Sequence, residues 1–301
     1  MQSTNQFIEH PLLAEKQVTL VIKREDLLHP FISGNKYRKL KYNLLAAQAE
    51  NQHTILTFGG AYSNHIAATA YAAKEQGLKS IGVIRGEELE SSWKINATLK
   101  KAYDDGMRFK FISRSDYREK ESDVFIDDLR NEIGQFYLVP EGGTNDLAIK
   151  GCEEIITQKD EEFDFLCSSV GTGGTVSGLI NSSFSHQKVL GFSALKGGFL
   201  NDEIEKLVDN KRWQLMTDYH FGGYAKTSEE LIHFINTFKE ITSIPLDPIY
   251  TGKMIFGLFN MIKHDTFAVG TKIIAIHTGG LQGIAGMNSV LKKKNLPLLN
   301  I

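Results

Sequence analysis

The chain has 301 residues, with 34 Lys and Arg against 36 Asp and Glu, hence a formal charge of −2, and 42% of it is apolar. That balance excludes a disordered chain and gives no reason to expect nucleic acid as a partner. No apolar run approaches the roughly 18 residues of a membrane span, so no membrane partner is expected either.

Two cysteines, Cys152 and Cys167, cannot build a disulfide framework or a four-ligand zinc site. The N-terminal stretch MQSTNQFIEHPLL lacks a basic region followed by an apolar run. A reducing, cytoplasmic setting is therefore expected. The length suits about two domains or one large α/β unit.

In chain order the pattern predicts a strand over Val18–Glu25, a helix over Tyr37–Ala49, a strand over Thr54–Phe58 and a helix over Ile66–Gln76. A strand over Ser80–Arg85, a helix over Ser91–Asp105, a strand over Arg108–Ser113 and a helix over Asp123–Ile133 follow. Next come strand Phe136–Pro140, helix Asp146–Gln158, strand Asp164–Val170, helix Val176–Ser183, strand Lys188–Leu195 and helix Asp202–Val208. The chain closes with strand Trp213–Tyr219, helices Ser228–Ile241 and Lys253–Lys263, strand Lys272–His277 and helix Ile284–Lys293. The helices are amphipathic: Leu231, Ile232, Phe234, Ile235 and Phe238 can share one buried stripe. The strands are nearly all apolar, as in sheets covered on both faces. Regular alternation of this kind predicts an α/β fold of mostly parallel sheet.

Ligands of open α/β sheets bind where strands lead into helices. The sharpest such junction is Gly171-Thr172-Gly173-Gly174-Thr175, after an apolar strand. Its glycines let backbone N–H groups approach an anion at a helix start, which predicts phosphate binding. The glycine spacing misses the third Gly of G-x-G-x-x-G, and no G-x-x-x-x-G-K-[ST] occurs, so dinucleotide and triphosphate readings are disfavoured. A second junction, Gly59-Gly60-Ala61-Tyr62-Ser63-Asn64-His65, places hydroxyl, amide and free N–H groups where they can grip a carboxylate. Plain helix capping by Ser63 or Asn64 is the competing explanation.

At Asn35-Lys36-Tyr37-Arg38-Lys39, a lysine stands at a helix N-terminus, where its positive charge is disfavoured. That favours a neutral, nucleophilic amine at Lys36, with Lys39 on the same face. A nucleophilic lysine, a phosphate cradle and hydroxyl-rich loops together describe a site for pyridoxal 5′-phosphate.

Val21–Leu27 followed by Ser33–Leu40 resembles the Schiff-base region of the 1-aminocyclopropane-1-carboxylate deaminase/D-cysteine desulfhydrase family. Ser63-Asn64-His65, Gly171–Thr175, Asp247-Pro248-Ile249-Tyr250-Thr251-Gly252-Lys253 and His277-Thr278-Gly279-Gly280 match further family motifs in order. The resemblance implies a tryptophan synthase β-like fold (fold type II) of two open, twisted, mostly parallel-sheet domains. Residues 1–42 and 148–301 would form the large cofactor-binding domain, and 43–147 a smaller inserted one.

It implies that Lys36 holds the cofactor, that Lys39 lies near its phosphate, and that Ser63, Asn64 and His65 meet substrate or the cofactor's phenolic oxygen. Tyr224 and Tyr250 match active-site tyrosines. Thr251 and Thr278 stand where the family's deaminases carry Glu and Leu and its desulfhydrases carry hydroxyls, and they would flank the pyridine nitrogen. Tyr62, Ala67 and Ala68 depart from the family pattern, and the phosphate loop looks more like that of cysteine synthases.

The expected activity is α,β-elimination on a small amino acid, D-cysteine above all, to pyruvate, ammonia and sulfide. Lys36, Ser63 or a tyrosine would be the base, and the enzyme would be a homodimer. Ring-opening deamination of 1-aminocyclopropane-1-carboxylate is the close rival. A non-catalytic protein on the same fold is a more distant one.

Overall fold

A computed structural model describes residues 2–32 and 34–300. In chain order its elements are β1 (Asn5–Phe7), α1 (Pro11–Lys16), β2 (Thr19–Lys23), α2 (Asn35–Ala49), β3 (Thr54–Gly59), α3 (Asn64–Glu75) and β4 (Lys79–Arg85). There follow α4 (Ala97–Asp104), β5 (Met107–Ile112), α5 (Asp123–Ile133), β6 (Tyr137–Val139), α6 (Asp146–Glu153), β7 (Phe165–Val170) and α7 (Gly174–Ser182). The last third holds β8 (Lys188–Ser193), α8 (Phe199–Glu205), β9 (Trp213–Met216), α9 (Glu229–Thr242), α10 (Thr251–Lys263), β10 (Lys272–Ile276) and α11 (Ile284–Lys293).

The expected α/β architecture is present as two sheets, with strand orders β1-β2-β10-β7-β8-β9 and β5-β4-β3-β6. Every pairing is parallel except β1 on β2. Both faces of the larger sheet are covered, which is why its strands read as continuous apolar runs. Leu20, Ile22, Phe192 and Ile273 pack with Leu231 and Ile235 of α9 and Met254 and Leu258 of α10. On the other face, Val21, Leu166, Val189 and Ile274 pack with Val176 and Leu179 of α7 and Ile204 of α8. Against the smaller sheet, Leu40, Leu44 and Ala47 of α2 join Ala68 and Ala72 of α3 over Ile55 and Val139. Ile126 and Leu129 of α5 cover its other face, against Leu56, Phe58 and Val83.

Several boundaries differ from expectation for local reasons. β1 and α1 carry too few residues to show a period; β1 exists because Asn5–Phe7 pairs antiparallel with Val21–Lys23. The predicted helix Ser91–Asp105 begins only at Ala97, where the Asn96 side chain accepts from the Leu99 N–H and sets the start. A 3₁₀ turn, Trp93–Ile95, precedes it. The predicted helix Asp146–Gln158 stops at Glu153, and a second capped turn at Gln158–Asp160 follows. The strand predicted to reach Tyr219 stops at Met216, where pairing with β8 ends.

Helices α2, α6 and α7 lie unusually close together, and two glycines allow it. A Cβ on Gly151 would stand 2.0 Å from the Arg38 carbonyl oxygen, and one on Gly178 2.5 Å from the Cys152 Cβ. This stacking carries the first turn of α2 up to the loop that opens α7. Buried ion pairs fix the same region: Arg38 Nε donates to Glu25 at 2.9 Å and Lys23 Nζ to Asp160 at 2.8 Å. Each charge is buried with its partner, so removing one member alone would cost about 3–5 kcal/mol.

Candidate active site

The carboxyl ends of β3, β4, β6, β7 and β10 converge on one cavity of about 660 Å³, where an open α/β sheet places its ligand. Lys36, Lys39, Ser63, Asn64, His65, Gly171, Thr172, Gly173, Thr175, Tyr224, Tyr250 and Thr278 all line it. Two of the residues singled out in the sequence do not. Gly174 opens α7 behind the loop, against Thr144 and Lys39. Thr251 is fully buried: its hydroxyl donates to Asp247 Oδ1 at 2.7 Å and accepts from the Asp247 N–H at 3.0 Å. That hydroxyl is spent on the turn that starts α10, so, against the expectation from the sequence, Thr251 does not itself reach the cavity; Asp247, to which it is bonded, lines it instead.

Lys36 occupies the first turn of α2, with its amine 3.4 Å from the Gly142 carbonyl oxygen. Its pKa is lowered to about 7, first by burial and then by the Lys39 charge. The expected direction holds, but burial rather than the helix terminus leads. Lys39 Nζ donates to the Gly142 carbonyl at 3.1 Å, Thr144 Oγ1 at 2.9 Å and Thr172 Oγ1 at 3.5 Å. Burial lowers its pKa to about 8. The two amines differ in attachment: Lys39 is tied to three oxygens and Lys36 to one distant one.

The loop Gly171–Gly173 leads into α7, and Thr172, Thr175 and Val176 line the cavity with it. Thr172 and Thr144 hydroxyls share a 2.6 Å hydrogen bond, and Asn35 Nδ2 donates to Thr175 Oγ1 at 2.7 Å. This last contact ties the lysine helix to the phosphate loop. Across the cavity, Ser63 Oγ accepts from the Ile66 N–H and caps α3. Capping and a site role coexist there, since the helix start is itself the anion-binding feature.

His65 is 2% exposed. Thr57 Oγ1 gives its only proton to the Val139 carbonyl at 2.8 Å, so at its 2.8 Å contact with His65 Nε2 it must accept. The imidazole therefore carries its proton on Nε2. Burial, with Lys36 and Lys39 nearby, holds its pKa well below the usual value. Its Nδ1 is buried with no hydrogen-bond partner among the described residues.

Tyr250 and Tyr224 form an edge-to-face pair with centroids 6.2 Å apart. Burial raises the pKa of both, so both are neutral hydroxyls at neutral pH. Thr278 Oγ1 lies 3.2 Å from Ser169 Oγ.

Ser169, Arg85 and Glu141 line the cavity too and were given no role in the sequence, and Asp247, which also lines it, was seen only as part of a motif. Ser169 and Arg85 end strands, where outward-pointing polar residues are the only available signal. Lys253 was seen as part of a motif but given no role. It is buried and donates to the His220 and Gly223 carbonyl oxygens, both at 2.8 Å. It thereby ties α10 to the loop bearing Tyr224, in which Phe221, Gly222, Gly223 and Ala225 all have positive φ. Lys253→Met should leave those carbonyls unpaired, at about 1–3 kcal/mol each. Faster hydrogen exchange across 219–226 and a lower Tm are the expected readouts, and unchanged exchange there would show that the loop holds itself.

The residues fit a phosphorylated pyridine aldehyde: an amine of lowered pKa, a glycine-rich loop and the Thr172 and Thr175 side chains line one space. Comparison with known proteins agrees. Residues 4–279 match the pyridoxal-phosphate dependent enzyme family. A Pyrococcus horikoshii protein provisionally named a 1-aminocyclopropane-1-carboxylate deaminase is 31% identical, over 87% of this chain and 84% of its own. The bifunctional D-cysteine desulfhydrase/1-aminocyclopropane-1-carboxylate deaminase of Arabidopsis thaliana mitochondria is 32% identical, over 88% and 73%. A crystal structure of an ACC deaminase homologue superposes with a TM-score of 0.84 at 28% identity, over 97% of this chain and 94% of that one. The chain belongs to the pyridoxal-phosphate dependent enzymes, among the relatives of 1-aminocyclopropane-1-carboxylate deaminase and D-cysteine desulfhydrase.

Proposed function

We propose that this enzyme catalyses α,β-elimination on a small amino acid, D-cysteine first, releasing pyruvate, ammonia and sulfide. The observation that carries the reading is the hydroxyl pair Thr278–Ser169 on the cavity wall, at the position where the resemblance puts an apolar residue in deaminases. Asp247, a carboxylate that also lines the cavity, is taken up by its own turn. It accepts from the Ile249, Tyr250 and Thr251 N–H groups and from the Thr251 hydroxyl.

In this reading Gly171–Thr175 and Lys39 hold the phosphate, and Lys36 carries the cofactor, whose conjugated ring supplies an electron sink when bound. Ser63 and Asn64 hold the substrate carboxylate at the start of α3, beside His65. The Lys36 amine, neutral in a large fraction near pH 7, takes the proton from the substrate Cα. Tyr250 and Tyr224 stand as neutral donors near the substrate side chain. Thr278 would meet the ring nitrogen as a weak hydrogen-bonding group, leaving that nitrogen less protonated than a carboxylate would.

Ring-opening deamination is the second reading, favoured by the names that the relatives carry. Assaying D-cysteine, L-cysteine, D-serine and 1-aminocyclopropane-1-carboxylate side by side decides: pyruvate from D-cysteine supports elimination, and 2-oxobutyrate alone overturns it. The same reading includes the split into 1–42 with 148–301 and 43–147, a homodimer, and a cytoplasmic site of action. Sedimentation of the holoenzyme tests the dimer.

The lowered pKa of Lys36 gives a pH prediction. A lysine is nucleophilic when unprotonated, so the reactive fraction rises as pH climbs through the folded pKa and then levels off. Covalent attachment of pyridoxal phosphate to apoprotein should therefore accelerate up to about pH 7–8 and plateau. An ordinary lysine, with a pKa of about 10.4, would keep accelerating beyond pH 9. Stopped-flow measurement of attachment across pH 6–10 separates the two.

A further inference from the structure

Beside the cavity lies a second pocket of about 380 Å³, lined by Arg85, Arg114, Tyr117, Arg118, Lys120 and Glu141. Four cations face one carboxylate. Arg114 is paired with Glu88, and Lys120 lies 3.5 Å from Glu121 and 3.4 Å from Glu141. Among the described residues Arg85 and Arg118 have no carboxylate within 4.0 Å. Tyr117 forms the floor. It is 4% exposed, lies under Arg85 with the guanidinium 5.6 Å from its ring centre, and its hydroxyl is directed to the Glu141 side chain. Burial, followed by the nearby Glu141 charge, pushes that hydroxyl's pKa up, so it stays a donor. Two guanidinium groups without a carboxylate partner, with Lys120 beside them in one concavity, are a set of groups that an anion would satisfy.

The pocket adjoins the active-site cavity: Arg85 and Glu141 line both. Arg85 ends β4, and its guanidinium lies 3.7 Å from where a Cβ on Gly60 would stand. Gly60 begins the loop that delivers Ser63 and Asn64. An amino acid held by its α-carboxylate at Ser63 and Asn64 would therefore have Arg85 within its surroundings. Across the mouth, the charges of Arg85 and Glu141 are both felt at the Tyr224 hydroxyl.

We propose that this pocket is an anion subsite, with Arg85 and Arg118 as its recognition groups, for a negatively charged side-chain group of the substrate. Resting on the lyase reading above, it names the substrate class as amino acids whose β-substituent carries a carboxylate, sulfate or phosphate. Uncharged β-substituted amino acids use the same catalytic groups without this contact.

The test uses holoenzyme, so that the phosphate cradle is filled, and compares wild type with R85M and R118E. Arg118 is exposed, so R118E keeps the test open should R85M fail to fold. Inorganic sulfate is titrated by calorimetry at fixed ionic strength. Pyruvate release is then measured from O-sulfoserine and β-chloroalanine of each hand. At least tenfold weaker sulfate binding in the variants is expected. An equal fall in the kcat/KM ratio of O-sulfoserine to β-chloroalanine should accompany it.

Unchanged sulfate affinity overturns the subsite. Weakened sulfate binding with an unchanged substrate ratio also overturns it, since the pocket would then take a free anion rather than a substrate group. D-cysteine is assayed alongside as reference. Pyruvate release by wild type from D-cysteine and β-chloroalanine but not from O-sulfoserine overturns the substrate class. If wild type releases it from none of the three, the lyase reading fails. The substrate-class assignment then fails with it, while the sulfate titration separately decides whether the pocket binds an anion.

Discussion

Lys36→Ala is expected to lower turnover by on the order of 10⁴-fold or more, the scale on which loss of a covalent catalytic group acts. The cavity contains a second amine, which makes the prediction sharp. Lys39 is also buried with a lowered pKa, so titration alone would leave two candidates. Geometry separates them. Lys39 Nζ is committed to the Gly142 carbonyl and the Thr144 and Thr172 hydroxyls, and leaving them would break three contacts. Lys36 gives up only a 3.4 Å contact. Borohydride reduction of the holoenzyme followed by peptide mapping should place the cofactor on Lys36, and Lys36→Ala protein should carry none. Label on Lys39 in the wild type would reverse the assignment. Lys39→Ala is expected to keep the covalent link and to weaken phosphate binding instead.

The strands and most helices were legible because two-sided burial writes itself as apolar runs. Val21 and Ile22 face opposite clusters, and both are apolar. What the sequence hid was decided by contacts between distant segments. Nothing local marks Asn5–Phe7 as a strand, since its partner is Val21–Lys23. Within the site, glycine- and hydroxyl-rich junctions were visible because their composition is unusual at strand ends. Arg85 and Ser169 were not, because a polar residue ending a strand is ordinary until the fold shows what it faces. Thr251 was visible but assigned to the wrong contact. Its side chain lies one helical turn from Asp247, and only the coordinates show that the two hydrogen-bond each other.

That geometry changes what the paired substitution Thr251→Glu with Thr278→Leu should do. Thr251 is fully buried and bonded to the Asp247 carboxylate, so a glutamate there meets a like charge at close range. One of the two carboxyls must then either hold a proton or turn toward the cavity. Turned inward, it can pair with the protonated ring nitrogen of the bound cofactor and raise that nitrogen's pKa by a charge-assisted hydrogen bond. Leu at 278 meanwhile removes the hydroxyl facing Ser169 and adds apolar volume beside the substrate. We expect the ratio of D-cysteine to 1-aminocyclopropane-1-carboxylate turnover to fall by on the order of tenfold or more, a scale typical of altered acid–base and pocket groups. Cofactor binding should survive, because Lys36 and the glycine loop are untouched. Thr251→Val serves as the control, since it removes the hydroxyl without adding a charge. It should cost about 1–2 kcal/mol through the lost turn contact and leave the ratio where it was. A folded double variant with an unaltered ratio would reduce both threonines to structural roles and retire the assignment of reaction preference to this wall of the cavity.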